Sequence, residues 1–260
     1  MKKLRGMIWG LVFLMGASCS TIRPGGAATL RVGFTPNYPP LAMLRNDKAA
    51  GVEIDFAEQL ARELGMELKV LSVPWERQFE ELAAGNVDII MSGMTVTLAR
   101  QARAAFCEPY LSNPLIAVVR RQESGRYATA EAVKAATGSI GFLEATSAGT
   151  FVRREFKAGK AVPLSTPEDA VFHLVNQRID LYVDDLAAAV DIVSRHETQL
   201  ELVPIPLHEQ ALAWAVRLGD EELKRQANEA LARWRASGWL DETLDRWMPY
   251  RKALAAVAAE

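Results

Sequence analysis

The chain reads as an α/β protein built of two lobes, each a mostly parallel sheet flanked by helices, with a ligand cleft between them. Apolar strands alternate with amphipathic helices, the pattern of a parallel sheet covered on both faces. The alternation runs once and then begins again, so that RIDLYVDD (Arg178 to Asp185) in the second half matches NVDIIMSG (Asn86 to Gly93) in the first. In both halves the strands end in polar residues, and polar strand ends on two α/β lobes imply a shared crevice.

The totals agree with a soluble globular chain. It has 260 residues, 50% hydrophobic and 24% charged, enough for one large domain or two small lobes. Net charge is −2, and becomes −5 (27 basic against 32 acidic) once Lys2, Lys3 and Arg5 leave with a leader. No basic stripe is present, so nucleic acid is not expected as a partner. Cys19 and Cys107 lie far apart, and His173, His196 and His208 are scattered, so no metal site, cofactor or histidine-based triad is expected.

The N-terminus is an address. Met1 to Arg5 is basic, Met7 to Gly16 is apolar and too short to span a bilayer comfortably, and GASC follows, which together read as a secretory signal over residues 1–18. A cysteine directly after small residues resembles a bacterial lipobox, with Cys19 as the acylated first residue. Gly16 departs from the usual leucine three residues earlier, so an ordinary cleavage site stays open. Residues 19–28 form a flexible tether. The mature protein is therefore expected outside the cytoplasm, touching the membrane only through a lipid anchor.

The elements follow in order. LRVGF (Leu30 to Phe34) is a strand leading into the turn-rich TPNYPP. GVEIDFAEQLARELG is a helix with Phe56, Leu60 and Leu64 on one face, Asp55 and Glu58 as a capping box and Gly65 as its stop. MELKVLSVP is the next strand, and Arg77 to Ala84 a helix before NVDIIM. GSIGF, a loop entering the helix of EATSAGTFVRREF, the amphipathic PEDAVFHLVNQ, and RIDLYVDD repeat the scheme. SNPLIAVVR and LVPIPLHEQALAWAV connect the lobes, giving lobe 1 as 29–115 with 210–260 and lobe 2 as 116–209. Two final helices pack on lobe 1, with Trp234, Trp239 and Trp247 as packing anchors.

The most informative stretch is SGMTVTLAR (Ser92 to Arg100). A buried strand precedes it, and Thr97 is a good N-cap for LARQARAA. Hydroxyls and free N–H groups there suit a small anion, and the forked guanidinium of Arg100 suits a carboxylate.

These motifs, taken in order over Leu30 to Tyr250, resemble the periplasmic solute-binding proteins that feed polar amino acids to ABC importers, family 3 of the bacterial solute-binding proteins. The resemblance implies the type II periplasmic-binding-protein fold, a monomer, and delivery of an amino acid to an ABC permease. It places Tyr38 and Trp75 as aromatics on either side of the ligand. Ser92, Thr95 and Arg100 would hold the α-carboxylate, with a backbone contact from Gly93. Thr146 and Ser147 would close on it from the second lobe, and Asp185 would accept the α-ammonium. As isolated residues, Asp185, Thr146 and Ser147 read equally as helix caps, and Tyr38 and Trp75 as core aromatics.

Several positions depart from the pattern. Leu41 stands where phenylalanine often follows YPP. Ala145 replaces a glycine, and is strained if that position needs φ > 0. Cys107 occupies a serine or threonine place as a buried free thiol. Thr35 stands where binders of basic amino acids often carry aspartate, so an uncharged polar side chain is expected on the ligand, unless Glu53 or Glu144 faces the cleft. Two rivals remain. Cyclohexadienyl dehydratases use the same fold, with Glu144 and Asp184 the nearby acids here, although neither sits in a catalytic motif. A free-standing sensory binding protein is the other.

Overall fold

The computed structural model describes residues 28 to 252 apart from 128; the expected leader, Cys19 and the tether through 27 lie outside them. The first half lays down β1 (Thr29–Phe34), α1 (Val52–Leu64), β2 (Glu67–Ser72), α2 (Gln78–Ala83), β3 (Ile89–Ile90), α3 (Leu98–Gln101) and β4 (Ala105–Phe106). The second gives β5 (Leu115–Arg120), α4 (Ala130–Lys134), β6 (Ser139–Leu143), α5 (Ser147–Glu155) and β7 (Lys160–Leu164). It continues through α6 (Pro167–Val175), β8 (Leu181–Asp185), α7 (Leu186–Arg195) and β9 (Leu200–His208). β10 (Ala215–Val216), α8 (Glu221–Ser237) and α9 (Trp239–Trp247) complete it.

These strands form two five-stranded sheets, ordered β2-β1-β3-β10-β4 and β7-β6-β8-β5-β9. In each, three parallel strands are followed by two more, joined by antiparallel pairing. The repeated grammar of the sequence is thus a repeated sheet order. β10, from late in the chain, enters the first sheet beside β3. A short pairing of Leu111–Ser112 with Ala211–Leu212 runs between the two chain crossings.

α1 shows how local signals are honoured and overridden. Phe56 and Leu60 are fully buried against the sheet, and Gly65 ends the helix in the left-handed conformation (φ 64°). The expected capping box does not form: the helix starts at Val52 after Gly51 (φ 123°). The N–H groups of Val52 and Glu53 instead donate to the carbonyls of Pro40 and Leu41 at 3.2 and 3.0 Å, so these first-turn donors need no side-chain cap. Asp55, freed from that duty, accepts from Trp247 Nε1 at 2.6 Å and Arg246 at 2.9 Å.

Phe56 is the centre of the first core. Tyr110, Trp214, Trp234 and Trp239 lie around it at 5.4 to 5.9 Å between ring centroids. Burying an aromatic of this size contributes roughly 1.5–3 kcal/mol. Trp234 and Trp239 in this cluster fasten α8 and α9 to the first lobe, and Trp247 adds its bond to Asp55 on α1, the anchoring role expected of all three. Cys107 is buried and free.

Candidate functional site

The three parallel strands of each sheet end at one place. The segments following β1, β2 and β3, and those at or after the ends of β6, β7 and β8, line a single cavity of about 580 Å³. All nine residues expected to touch a ligand lie on its wall: Tyr38, Trp75, Ser92, Gly93, Thr95, Arg100, Thr146, Ser147 and Asp185.

One group gathers around Arg100. Thr97 caps α3, its hydroxyl accepting from the Arg100 N–H at 3.2 Å. The guanidinium is held by the Thr95 carbonyl at 3.0 Å and lies 5.2 Å from the centre of the Trp75 ring. Among the described residues it has no carboxylate partner. Burial without that partner pushes Arg100 down to about 10.

The other group gathers around Asp185. Its Oδ1 accepts from the Ala188 N–H at 3.1 Å, which caps α7, and from Asn113 Nδ2 at 2.9 Å. The cap and the cavity-wall position coexist in one side chain. Asn113 also donates to Tyr38 Oη at 2.9 Å and accepts from the Ala187 N–H at 3.0 Å. No cation pairs with Asp185 among the described residues, and burial raises its carboxyl above the usual range. Asp184 beside it is also raised, by burial and by its neighbour's charge. Its two oxygens accept from Tyr182 Oη and, at 2.9 Å, from the Asp185 N–H.

Contacts between lobes close the remaining sides. Trp75 Nε1 donates to the Ala145 carbonyl at 3.1 Å, and Ala145 holds φ 60°, the strained conformation its substitution for glycine foreshadowed. Gln210 Oε1 accepts from Ser147 Oγ at 3.0 Å and from Thr95 Oγ1 at 3.4 Å. Thr146 caps α5, donating to the Leu143 carbonyl at 2.7 Å and accepting from the Gly149 N–H at 3.2 Å. Its hydroxyl hydrogen is therefore committed within its own loop.

Behind Ser92 and Gly93 sits Glu53, fully buried, which accepts from the Gly93 N–H at 2.5 Å, Tyr110 Oη at 2.7 Å and Trp214 Nε1 at 3.0 Å. Burial outweighs these donors and pushes its carboxyl up to about 7. Glu53 therefore braces the site from behind and does not face the cavity. The Gly93 N–H is engaged in that brace. Gly93 itself is required by Tyr38, because a Cβ there would sit 2.4 Å from the ring. Glu144 does line the cavity but pairs with Arg153 at 2.9 Å. Thr35 donates to the Val73 carbonyl at 2.8 Å.

Asn113 and Gln210 escaped the sequence reading. Each stands where the chain crosses between lobes, and a polar residue in a crossing segment is the signal that finds them. Glu76 and Glu168, exposed and without a cation partner among the described residues, also line the wall.

The chain matches the model of the bacterial extracellular solute-binding proteins, family 3, over residues 30–250. It is 26% identical over 220 residues to the L-cystine-binding protein TcyJ of Escherichia coli, covering 84% of this chain and 82% of that one. It is 28% identical over 232 residues to the cyclohexadienyl dehydratase of Pseudomonas aeruginosa, covering 86% and 84%. A putative ABC-transporter binding component from Wolinella succinogenes, complexed with lysine, superposes with a TM-score of 0.80 at 27% identity, covering 85% of this chain and 95% of that chain. Such neighbours are two-lobed amino-acid-binding proteins of type II, the fold expected here.

Proposed function

Since the chain belongs to the bacterial extracellular solute-binding proteins of family 3, we propose that it is the binding component of an amino-acid ABC import system, closing on a free L-amino acid and delivering it to a membrane permease. One observation carries this reading. A single cavity holds Arg100 from one lobe and Asp185 from the other, and neither has an oppositely charged partner among the described residues. Each charge is shifted by burial in the direction that a counter-charge would reverse. A zwitterion supplies both counter-charges in one molecule. Ser92, joined by Thr95 and Ser147 once their hydroxyls turn from Gln210, then serves the carboxylate with Arg100, while Tyr38 and Trp75 shield the charged bonds from water.

Closure is a hinge motion of 116–209 against 29–115 with 210–260, about the two crossings, with the ligand favouring the closed state. The family places the chain outside the cytoplasm; acylation of Cys19 and a monomeric state belong to this proposal. The ligand side chain is read as uncharged and polar, because Thr35 brings no acid, Glu53 faces away and Glu144 is already paired. Glu76 and Glu168 are the wall acids that a basic ligand would use, so tighter binding of arginine than of glutamine overturns this part.

The test is thermal unfolding of the mature protein against the twenty amino acids, L-cystine, prephenate and arogenate. A true ligand raises the midpoint, by about 2.7 kcal/mol of stability at a hundredfold excess over Kd. Silence from every amino acid would remove the transport reading. The dehydratase reading is kept because Asp184 is a raised carboxyl on the cavity wall; turnover of prephenate or arogenate would put it first.

A further inference from the structure

The Ser92 hydroxyl lies on the cavity wall with only 1% of the residue exposed, and two donors already point at its oxygen. The Thr35 N–H donates to Ser92 Oγ at 2.9 Å, and Gln78 Nε2 donates to it at 2.9 Å. A hydroxyl has two lone pairs and one hydrogen. With both lone pairs engaged, the hydrogen is all that Ser92 has left to give. Gln78 spends its second amide hydrogen on Thr35 Oγ1 at 2.6 Å, and Thr35 sends its own hydrogen to Val73.

Gln78 is fully buried in α2, and its Oε1 has no partner among the described residues. The amide orientation is assigned from these contacts, in which the nitrogen reaches both hydroxyl oxygens.

We propose that Gln78 is a specificity-determining residue that sets the hydrogen-bond polarity of the carboxylate end of the cleft, forcing the Ser92 hydroxyl to donate to whatever occupies it. This rests on the amino-acid reading above and narrows it. The ligand must present an acceptor at Ser92: a carboxylate offers one in either orientation, an α-carboxamide only with its carbonyl oxygen turned there and its NH2 turned toward the other donors of the site, and a decarboxylated amine offers none. Gln78 touches no ligand; it acts through Ser92 and Thr35, which makes it a positioning residue.

The test is calorimetric titration of the unchanged chain, Gln78→Met and Gln78→Glu with the twenty L-amino acids and L-cystine, and with the α-carboxamide of each one that binds. The unchanged chain prefers the free acid to its carboxamide. Gln78→Met, a neutral replacement of similar length, lets the Ser92 hydroxyl turn and shrinks that preference about tenfold. Gln78→Glu draws the Ser92 hydrogen onto its own carboxylate, turns the oxygen into an acceptor, and brings the preference to unity or below. Melting of each unliganded variant confirms the fold, and the methionine variant decides alone if the glutamate variant does not fold. Free-acid preferences unchanged in the folded variants would overturn the proposal and leave the amino-acid reading standing. Failure of the unchanged chain to bind any amino acid would overturn both.

Discussion

The indole N–H of Trp75 donates to the carbonyl of Ala145 at 3.1 Å, one residue in each lobe. An aromatic expected only to cover a ligand therefore also latches the cleft. Trp75→Phe keeps a ring beneath Arg100 but loses the latch. One hydrogen bond of about 1 kcal/mol corresponds to a roughly fivefold shift toward the open form. Small-angle scattering of the unliganded variant should show a larger radius of gyration, with ligand affinity reduced by a similar factor. Identical scattering and affinity would mean the bond does not hold the lobes.

Arg100 and Asp185 should be separable from stability. Arg100→Ala removes a half-buried charge that has no carboxylate partner among the described residues, so the unliganded protein loses little. Asp185→Ala deletes the α7 cap as well and costs about 1 kcal/mol, whereas Asp185→Asn retains a capping oxygen. All three should lower amino-acid affinity by roughly 10- to 100-fold, from the loss of a charge-assisted bond. Midpoints with and without amino acid separate the two effects. An Asp185→Asn protein that binds as tightly as the parent would remove the ammonium role.

Backbone conformation gives a pair of opposite predictions. Ala145 sits at φ 60°, so Ala145→Gly relieves strain and should raise the denaturation midpoint by about 1 kcal/mol of stability. Gly93 sits at φ 64° with the Tyr38 ring against it. Gly93→Ala should cost roughly 1–3 kcal/mol and push Tyr38 off its bond to Asn113, weakening binding as well. Urea unfolding reads both, and a stabilised Gly93→Ala would contradict the packing described.

Glu53 predicts a pH slope. Its carboxyl is raised from 4.5 to about 7, so the folded chain holds this proton more tightly than the unfolded chain. Its contribution is fully present below the unfolded value and is lost as pH rises through the folded one. That amounts to about 3 kcal/mol. Glu53→Gln, neutral throughout, should show a flatter stability profile between about pH 5 and 8 than the parent. Parallel profiles would show that the carboxyl does not titrate in that range.

Much of the site was legible because its residues stand at fixed offsets from strand ends. Thr97 caps α3 next to Arg100, which local pattern singled out, and Asp185 closes an apolar strand as a cap whose site role the resemblance added; Arg100 and Asp185 both lie on the cavity wall. Asp55 and Glu58 fit a capping pattern equally well, yet the helix began three residues before Asp55 because the carbonyls of Pro40 and Leu41 were already there to receive its first donors. Local spacing cannot see a carbonyl brought in by another segment.

The sequence by itself determined the alternation of strands and helices, its repetition, the polar strand ends and the unlike charges offered by the two halves, since periodicity and turn chemistry are local properties of the chain. Tertiary structure alone decided that Asn113 joins Tyr38 to Asp185, that Gln210 joins Thr95 to Ser147, that Glu53 turns inward and that Gln78 stands behind Ser92. Those partners lie from 14 to 115 residues apart. Their meeting depends on sheet register and on where the chain crosses between lobes, and the hydrogen bonds that fix polarity form only once that geometry exists.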